Sequence, residues 1–276
     1  MRPLRLLRTA LSRGADDAPA LPVGARVERE LEYGPDPLQR LDAYLPAGAP
    51  TGSVLVVVHG GAWALGDKAN RGVVGAKAAH WLAAGVVVVS INYRLLPRAG
   101  VLVQASDVAR AIAYVQQRAR LWRADPARLV LLGHSTGAHL AALLAADPSI
   151  GAAEQAAPWL ATILVDSATL DVETFMRSAH RPLHDRAFGL DPAGWATLSP
   201  VNRLRTRPAP FLIVHSSLRT DAAEAANRFA AAVSGRGGRV ETHQEALSHA
   251  DLNARLGLAN AYTERVDRFL QSVGVP

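Results

Sequence analysis

The pentapeptide GHSTG at 133–137 places a serine between two glycines, after an apolar run and before a segment rich in alanine and leucine. A turn that joins a strand to a helix this tightly needs small residues on both sides, and it leaves the serine Oγ exposed at the start of the helix. The alternative is a glycine-rich turn whose serine only caps the helix. We interpret Ser135 as a nucleophile, because an apolar strand precedes it and an amphipathic helix follows.

A second glycine-rich turn, HGGAW at 59–63, also follows an apolar run. Attack of Ser135 on a carbonyl group would create a negatively charged tetrahedral oxygen, which needs preorganised hydrogen-bond donors. The backbone amides of Gly61 and Ala62 can supply two donors, because the glycine removes a Cβ that would block close approach. The amide of Thr136, at the start of a helix, can supply a third. Together these groups predict nucleophilic acyl transfer.

Strand-like and helix-like patterns alternate along the rest of the chain. Arg26–Leu31 and Arg40–Leu45 alternate apolar and polar residues, which predicts half-exposed antiparallel strands, whereas Val54–Val58 and Val86–Ile91 are β-branched runs typical of central parallel strands. Further strands are predicted at Leu129–Leu132, Ile163–Val165, Phe211–His215 and Arg239–Gln244, and helices at Val74–Ala84, Ala105–Ala119, Thr136–Ala146, Ala222–Val233 and Ala261–Val273. The alternation predicts an α/β fold with a doubly wound, mostly parallel sheet of about eight strands, edged by the N-terminal antiparallel pair.

Residues 168–207 break this alternation and are rich in aromatic residues, prolines and arginines. We expect a small, cap-like helical excursion over the carboxyl edge of the sheet, which is where open α/β sheets bind ligands. Phe175 and Trp195 from this segment, together with Trp63, are predicted to crowd a small acyl pocket.

The composition restricts the possible classes of protein. The chain of 276 residues is 49% hydrophobic, which suits one large domain over residues 26–276 preceded by a basic extension at 1–25. The first thirteen residues contain no acidic side chain, and we expect a short surface helix there, with an arginine-rich transit peptide as the alternative. The absence of cysteine excludes disulfides and a cysteine nucleophile, and it suits a reducing, cytoplasmic location.

Several kinds of partner are not expected. The net charge is +6, but the basic residues are scattered rather than gathered in a patch with aromatics, which argues against nucleic acid. No apolar stretch reaches membrane-spanning length, so the chain is predicted to be soluble. No histidine and carboxylate spacing matches a metal site, and no glycine loop suited to phosphate occurs, so neither a metal nor another cofactor is expected.

Six motifs together carry a resemblance to a known family. They are HGGAW at 59–63, GDK at 66–68, INYRL at 91–95, DVARAIAYV at 107–115, GHSTG at 133–137 and LSPVNRL at 198–204. Over residues 26–272 the chain resembles α/β-hydrolases of the esterase and lipase group related to hormone-sensitive lipase, especially small carboxylesterases and kynurenine-formamidase-like members. The resemblance implies an α/β-hydrolase fold and a serine hydrolase with a small-molecule ester substrate.

The sequence departs from the family pattern in three places. Ala62 stands where many lipases have a third glycine in the oxyanion loop. The acid loop that usually reads HGxxD is HSSLRTD at 215–221, and the usual histidine followed by an aromatic residue is SHAD at 248–251.

The family's chain order is nucleophile, acid, base, with the base on the loop after the final strand. His249 follows the last predicted strand and is the favoured base, whereas His243 lies within that strand's pattern. Among the other histidines, His59 and His134 belong to the two glycine-rich turns, and we expect their side chains to stabilise those loops.

The acid has several candidates, of which Asp251 is excluded because it follows His249 in the chain. Asp166 ends the strand after the nucleophile's helix and is expected to hold the root of the excursion, in which Asp171 lies. Asp221 follows the Phe211–His215 strand after a short loop, so it is the favoured acid, with a helix N-cap as its alternative role.

These residues predict hydrolysis of small carboxylic esters through an acyl-enzyme intermediate. One alternative is an aryl-formamidase that cleaves the amide of N-formylkynurenine. The other is a non-catalytic ligand-binding relative, because a fold alone does not guarantee a function.

Overall fold

A computed structural model describes residues 18–276 of the chain. The predicted surface helix over the first thirteen residues lies outside the described residues. Within them the strands are β1 Arg26–Glu32, β2 Arg40–Leu45, β3 Val54–Val58, β4 Val87–Ile91, β5 Leu129–His134, β6 Ala161–Val165, β7 Phe211–Ser216 and β8 Val240–Glu245. They form one sheet in the order β1-β2-β4-β3-β5-β6-β7-β8.

The pairing of the strands confirms the predicted sheet. β1 and β2 are antiparallel to each other, and β2 is antiparallel to β4. Every other neighbouring pair, from β4 through β3 and β5 to β8, is parallel. The two apolar runs β3 and β4 are buried along their whole length, as β-branched central strands should be.

Helices cover both faces of the sheet. The long ones are α1 Arg71–Ala83, α2 Val101–Arg118, α3 Thr136–Ala146, α9 Thr220–Gly235 and α11 Ala261–Ser272, and the shorter ones are α4 Pro148–Ala153, α5 Val172–Met176, α6 Pro182–Phe188, α7 Pro192–Leu198, α8 Pro200–Arg203 and α10 His249–Ala254. Successive strand residues point to opposite faces. Val56 of β3 therefore joins a core with α2, α3 and α9, whereas Val57 joins a second core with α1 and α11. The sheet is doubly wound, as predicted.

Two of the long helices begin three or four residues before the predicted start, and in the first of them a capping side chain sets the start. α1 begins at Arg71, since the side chain of Asn70 accepts a hydrogen bond from the Gly72 amide and caps the helix there. α2 begins at Val101, four residues before the predicted start. Its first turn exposes Leu102 and Val103, so these two apolar residues lie off the buried face of the helix.

The excursion consists of the four short helices α5 to α8. Three of them begin with a proline in the first turn, where a missing amide hydrogen costs nothing. Asp171 caps α5 by accepting from the Thr174 amide, and it forms an ion pair with Arg228 of α9. Across residues 18–276 no helix has both the length and the apolar character needed to cross a membrane.

Candidate active site

Ser135 occupies a tight turn between β5 and α3, and its backbone has φ +57° and ψ −118°. A Cβ on Gly133 would lie 2.3 Å from the Gly137 carbonyl oxygen, and a Cβ on Gly137 would lie 2.2 Å from the Val58 carbonyl oxygen. Both glycines are therefore required by close backbone approach. The Ser135 side chain makes no capping hydrogen bond, so the structure contradicts the alternative of a capping serine.

His249 meets Ser135 at the carboxyl edge of the sheet. Its Nε2 lies 3.1 Å from the Ser135 Oγ, and it opens α10, which the Ser248 side chain caps. His243 instead lies within β8, where its Nε2 is 3.1 Å from the Glu245 carboxylate. The structure thus brings the predicted base to the predicted nucleophile.

His134, in the same turn as Ser135, contacts His249. Its Nε2 lies 3.0 Å from the His249 carbonyl oxygen, and the two rings are 4.6 Å apart. Burial lowers the pKa of His134 well below its usual value. A neutral His134 can donate its Nε2 hydrogen to that carbonyl, which fixes the start of α10.

The carboxylate that reaches His249 belongs to Asp166, at the end of β6. Its Oδ2 lies 2.5 Å from the His249 Nδ1, and its Oδ1 accepts a hydrogen bond of 2.9 Å from the Ser216 amide. Burial alone would raise the pKa of Asp166, but the hydrogen bond from His249 and the charge of Arg219 hold it well below its usual value. Asp166 is therefore a buried, ionised carboxylate.

Asp221, which the sequence favoured as the acid, does not contact His249. Its carboxylate is half exposed in the first turn of α9, where it accepts from Arg219 at 2.8 Å and from the Ala222 amide at 2.9 Å. The reason lies in the loop that departs from HGxxD. Counted from His215, the fifth position of that pattern is Arg219, and Asp221 lies two residues too far along the chain. Asp166 thus replaces Asp221 beside the imidazole.

Arg219 joins the same cluster, a contact that the sequence did not predict. Its guanidinium donates to the Asp166 Oδ2 at 2.7 Å, and the same nitrogen lies 2.9 Å from the His249 Nδ1. Burial lowers the pKa of Arg219, but the charges and hydrogen bonds of Asp166 and Asp221 together outweigh this effect and raise it. The departure from HGxxD is the sequence signal that could have revealed this residue.

The predicted oxyanion loop lies opposite Ser135. Gly61 has φ +139° and Ala62 has φ +54°, and a Cβ on Gly61 would lie 2.0 Å from the Leu65 carbonyl oxygen. Within residues 18–276, the amides of Gly61, Ala62 and Thr136 donate to no backbone or side-chain acceptor. All three residues line the cavity beside Ser135. The replacement of the third glycine by Ala62 does not prevent the left-handed turn.

Backbone strain is concentrated around this cavity. Of the seven non-glycine residues with positive φ in the described part of the chain, four line it, namely Ala62, Trp63, Ser135 and Asp166. Such conformations persist only where the surrounding structure enforces them, and they are typical of functional sites.

The cavity has a volume of about 470 Å³, a common size for a small-molecule site. Trp63 and Phe175 line it as predicted, and Leu183, His184 and Asn253 line it without having been predicted. These additional residues stand in no recognisable motif, and only the folded excursion and α10 bring them to the cavity.

Trp195 does not line the cavity, contrary to prediction. Its indole nitrogen donates to the Gly189 carbonyl at 3.0 Å, and the guanidinium of Arg177 lies 5.9 Å from the ring centre. Trp195 therefore packs within the excursion, where it links the end of α6 to α7.

Comparison with known proteins identifies the family and the fold of the chain. A model of the BD-FAE family matches residues 41–222. The chain belongs to the BD-FAE family. It is also similar over 93% of its length to a solved structure of Thermogutta terrifontis esterase 2 phosphoramylated by tabun, with a TM-score of 0.70, 27% identity and 97% of that chain covered. This likeness confirms the α/β-hydrolase fold expected from the motifs.

Three curated relatives illustrate the range of similar sequences. A probable isoprenylcysteine alpha-carbonyl methylesterase from Oryza sativa is 36% identical over 118 residues, which are 42% of this chain and 28% of the relative. Esterase LipC from Mycobacterium tuberculosis is 30% identical over 204 residues, 68% of this chain and 50% of that protein. Kynurenine formamidase from Salmo salar is 33% identical over 138 residues, 49% of this chain and 43% of that protein. The matches therefore span half or less of each relative's length.

Proposed function

We propose that this protein hydrolyses small carboxylic esters through an acyl-enzyme intermediate on Ser135. The observation that carries the proposal is a connected serine, histidine and aspartate on the wall of a cavity. The His249 Nε2 lies 3.1 Å from the Ser135 Oγ, and the His249 Nδ1 lies 2.5 Å from the Asp166 Oδ2. The esterase names of the relatives and of the T. terrifontis structure support the same chemistry.

The reaction follows from the chemistry of these three residues. The Ser135 Oγ attacks the ester carbonyl while the His249 Nε2 takes its proton. Asp166 accepts from the Nδ1–H, so it selects the tautomer with a free Nε2 and stabilises the imidazolium. The imidazolium then returns the proton to the departing alcohol, which leaves an acyl-serine. Water then attacks the acyl carbonyl while His249 removes its proton, and the imidazolium returns that proton to the Ser135 Oγ as the carboxylic acid is released.

The oxyanion of both tetrahedral intermediates is assigned to the amides of Gly61, Ala62 and Thr136. These amides lie beside Ser135 and have no other acceptor among the described residues. Removal of one such donor typically costs about 10²–10³ in kcat.

A second candidate is amide hydrolysis of the aryl-formamidase type. The observation that favours it is the similarity to the kynurenine formamidase of Salmo salar. An ester and a formamide would use the same nucleophile, base and oxyanion donors, so the site geometry does not separate them. A non-catalytic relative is less favoured, because such a protein has no need of a connected serine, imidazole and carboxylate.

The compartment is a further proposal. We place the protein in the cytoplasm, because a chain without any cysteine gains nothing from an oxidising environment. Fractionation of cells that produce the protein, followed by immunodetection, tests this placement.

The test of function combines a covalent probe with two substrates. A fluorophosphonate should label the protein stoichiometrically on the peptide that contains Ser135, and Ser135→Ala should lower kcat for 4-nitrophenyl acetate by about 10⁶ while leaving the melting temperature unchanged. Comparison of kcat/KM for this ester and for N-formylkynurenine then distinguishes esterase from formamidase. Labelling at another residue, or a Ser135→Ala variant within tenfold of the parent, would remove the proposal.

A further inference from the structure

We propose that Arg219 is a positioning residue that extends the action of His249 as a base to lower pH, and that Asp221 moderates its effect. The inference rests on the proposed hydrolysis by Ser135, because it concerns the base of that reaction.

Arg219 is held in the site by contacts to three other side chains. One guanidinium nitrogen lies 2.7 Å from the Asp166 Oδ2 and 2.9 Å from the His249 Nδ1, while the other terminal nitrogen lies 2.8 Å from the Asp221 Oδ2. Only 27% of the Arg219 side chain is exposed, whereas the Asp166 side chain is fully buried. The cation is thus held between the buried carboxylate and the half-exposed one.

The hydrogen-bond donors and acceptors of these groups determine how Arg219 affects His249. A guanidinium has only donors, so Arg219 and the Nδ1–H of His249 must share the Asp166 Oδ2 as acceptor. When His249 takes up a second proton on Nε2, two cations lie side by side on one carboxylate. Their repulsion disfavours the imidazolium, so removal of the Arg219 charge should move the acidic limb of the activity profile.

Other titratable groups face His249 from the surrounding elements. They are His134 at the end of β5, whose ring lies 4.6 Å from that of His249, and Asp251 on the same helix as His249, whereas Lys77 of α1 contacts Asn253 and not the His249 ring.

None of these groups acts on the imidazole as Arg219 does. His134 is kept neutral by burial, which lowers its pKa. The Asp251 carboxylate is exposed and accepts from the Ser248 hydroxyl at 2.6 Å. In the described part of the chain, Asp166 and Arg219 are the charged side chains that contact the His249 ring. Since the pKa of Asp166 lies well below its usual value, its own protonation falls outside the pH range of interest.

The carboxylate of Asp221 acts on the imidazolium in the opposite direction to Arg219. Its carboxylate touches the guanidinium of Arg219 but not His249, so it reduces the repulsion that the imidazolium experiences. Loss of the cation and loss of its counter-ion should therefore move the pH dependence in opposite directions. A merely structural role for Arg219 predicts no such pair of shifts.

The experiment is the pH profile of kcat/KM for 4-nitrophenyl acetate, an uncharged ester, from about pH 5 to about pH 9. Arg219→Gln should move the midpoint of the acidic limb up by about 0.5–1 pH unit, and Arg219→Lys, which keeps the charge, should restore most of the parent profile. Asp221→Asn should move the midpoint down by about 0.3 unit. Arg228→Gln is the matched control, because Arg228 also pairs with a carboxylate near α9 but does not line the cavity.

The possible outcomes separate this inference from the proposed function. An unmoved limb in Arg219→Gln together with a lower melting temperature, or a shift in the same direction for both variants, would overturn the role of Arg219 while leaving Ser135 hydrolysis intact. Absence of turnover and of fluorophosphonate labelling in the parent protein would instead remove the proposed function. If Arg219→Gln does not fold, the half-exposed Asp221→Asn decides alone: a downward shift supports the inference and no shift overturns it.

Discussion

The Oδ2 of Asp166 lies 2.5 Å from the Nδ1 of His249, although the two residues are 83 positions apart in the chain. β6 and β7 are parallel neighbours, so the residues that follow them emerge side by side at the carboxyl edge of the sheet. A carboxylate at the end of either strand can therefore approach the base. In this protein β6 supplies it, and the loop after β7 supplies Arg219.

This relationship makes the acid testable by two matched substitutions. Asp166→Asn should lower kcat by about 10³–10⁴, because an amide no longer selects the His249 tautomer with a free Nε2 or stabilises the imidazolium. Asp221→Asn should stay within about tenfold of the parent at pH 8, since its carboxylate does not contact the imidazole. Both variants are to be compared for kcat on 4-nitrophenyl acetate and for melting temperature. The opposite ranking would return the acid to Asp221.

The local motifs were sufficient to predict the two residues that the structure brings into contact, Ser135 and His249. Ser135 stands within a pattern that a tight strand-to-helix turn requires, and His249 is the histidine that follows the last strand. The central strands could be predicted in the same way, because β3 and β4 are buried on both faces and their residues are apolar apart from Ser90.

The carboxylate beside His249 could not be predicted in this way, because its position depends on tertiary geometry. Asp166 follows the apolar strand β6 and stands in no motif, so its residue type alone does not reveal which neighbour it reaches. The position of Trp195 is a similar case. An aromatic residue within an excursion can face either the cavity or the excursion's own interior, and only packing decides between them.

The size of the cavity predicts a preference for short acyl chains. Phe175 and Leu183 of the excursion line a volume of about 470 Å³ beside Ser135. Acetyl to hexanoyl esters should therefore be cleaved faster than long-chain ones, with a graded decline, because one methylene in an apolar pocket is worth only about 1–3 kcal/mol. The measurement is kcat/KM across a series of 4-nitrophenyl esters. A maximum at about twelve carbons or above would contradict the expectation.

Two aromatic substitutions sharpen this test. Phe175→Ala should shift the optimum toward longer acyl chains, because it removes a ring from the cavity wall. Trp195→Phe should leave the order of substrates unchanged, since Trp195 packs within the excursion. A change in chain-length preference in Trp195→Phe alone would place the acyl group elsewhere.

The start of α3 should tolerate no side chain at Gly137. A Cβ there would lie 2.2 Å from the Val58 carbonyl oxygen and 2.6 Å from that of His59, and backbone atoms cannot move aside as a flexible side chain can. Gly137→Ala should lower the free energy of unfolding by about 3 kcal/mol or more, or prevent folding. Gly194→Ala is the control, because nothing lies within 4 Å of its Cβ and its helix favours alanine. Urea unfolding of both variants measures the difference, and equal stabilities would contradict the close approach.

Lys77 should make the stability of the protein depend on pH in the alkaline range. Its ammonium group is buried between α1 and α10, where it donates to the Asn253 carbonyl at 2.6 Å and to the Asn253 Oδ1 at 3.0 Å, and burial lowers its pKa to about 7. An unfolded lysine has a pKa of about 10.4. Between these two values the unfolded chain binds more protons than the folded one, so the contribution of Lys77 to stability rises with pH.

Lys77→Met isolates this contribution from the other groups that titrate in the same range. The free energy of unfolding of the parent, minus that of Lys77→Met, should increase by a few kcal/mol between about pH 7 and about pH 10. It should stay constant between about pH 5 and about pH 6.5, where the lysine is protonated in both states. Urea unfolding of both proteins at matched pH values gives the difference directly. A difference that stays constant across the alkaline range would mean that Lys77 keeps its proton in the folded protein, and that the two oxygen atoms of Asn253 stabilise the buried charge.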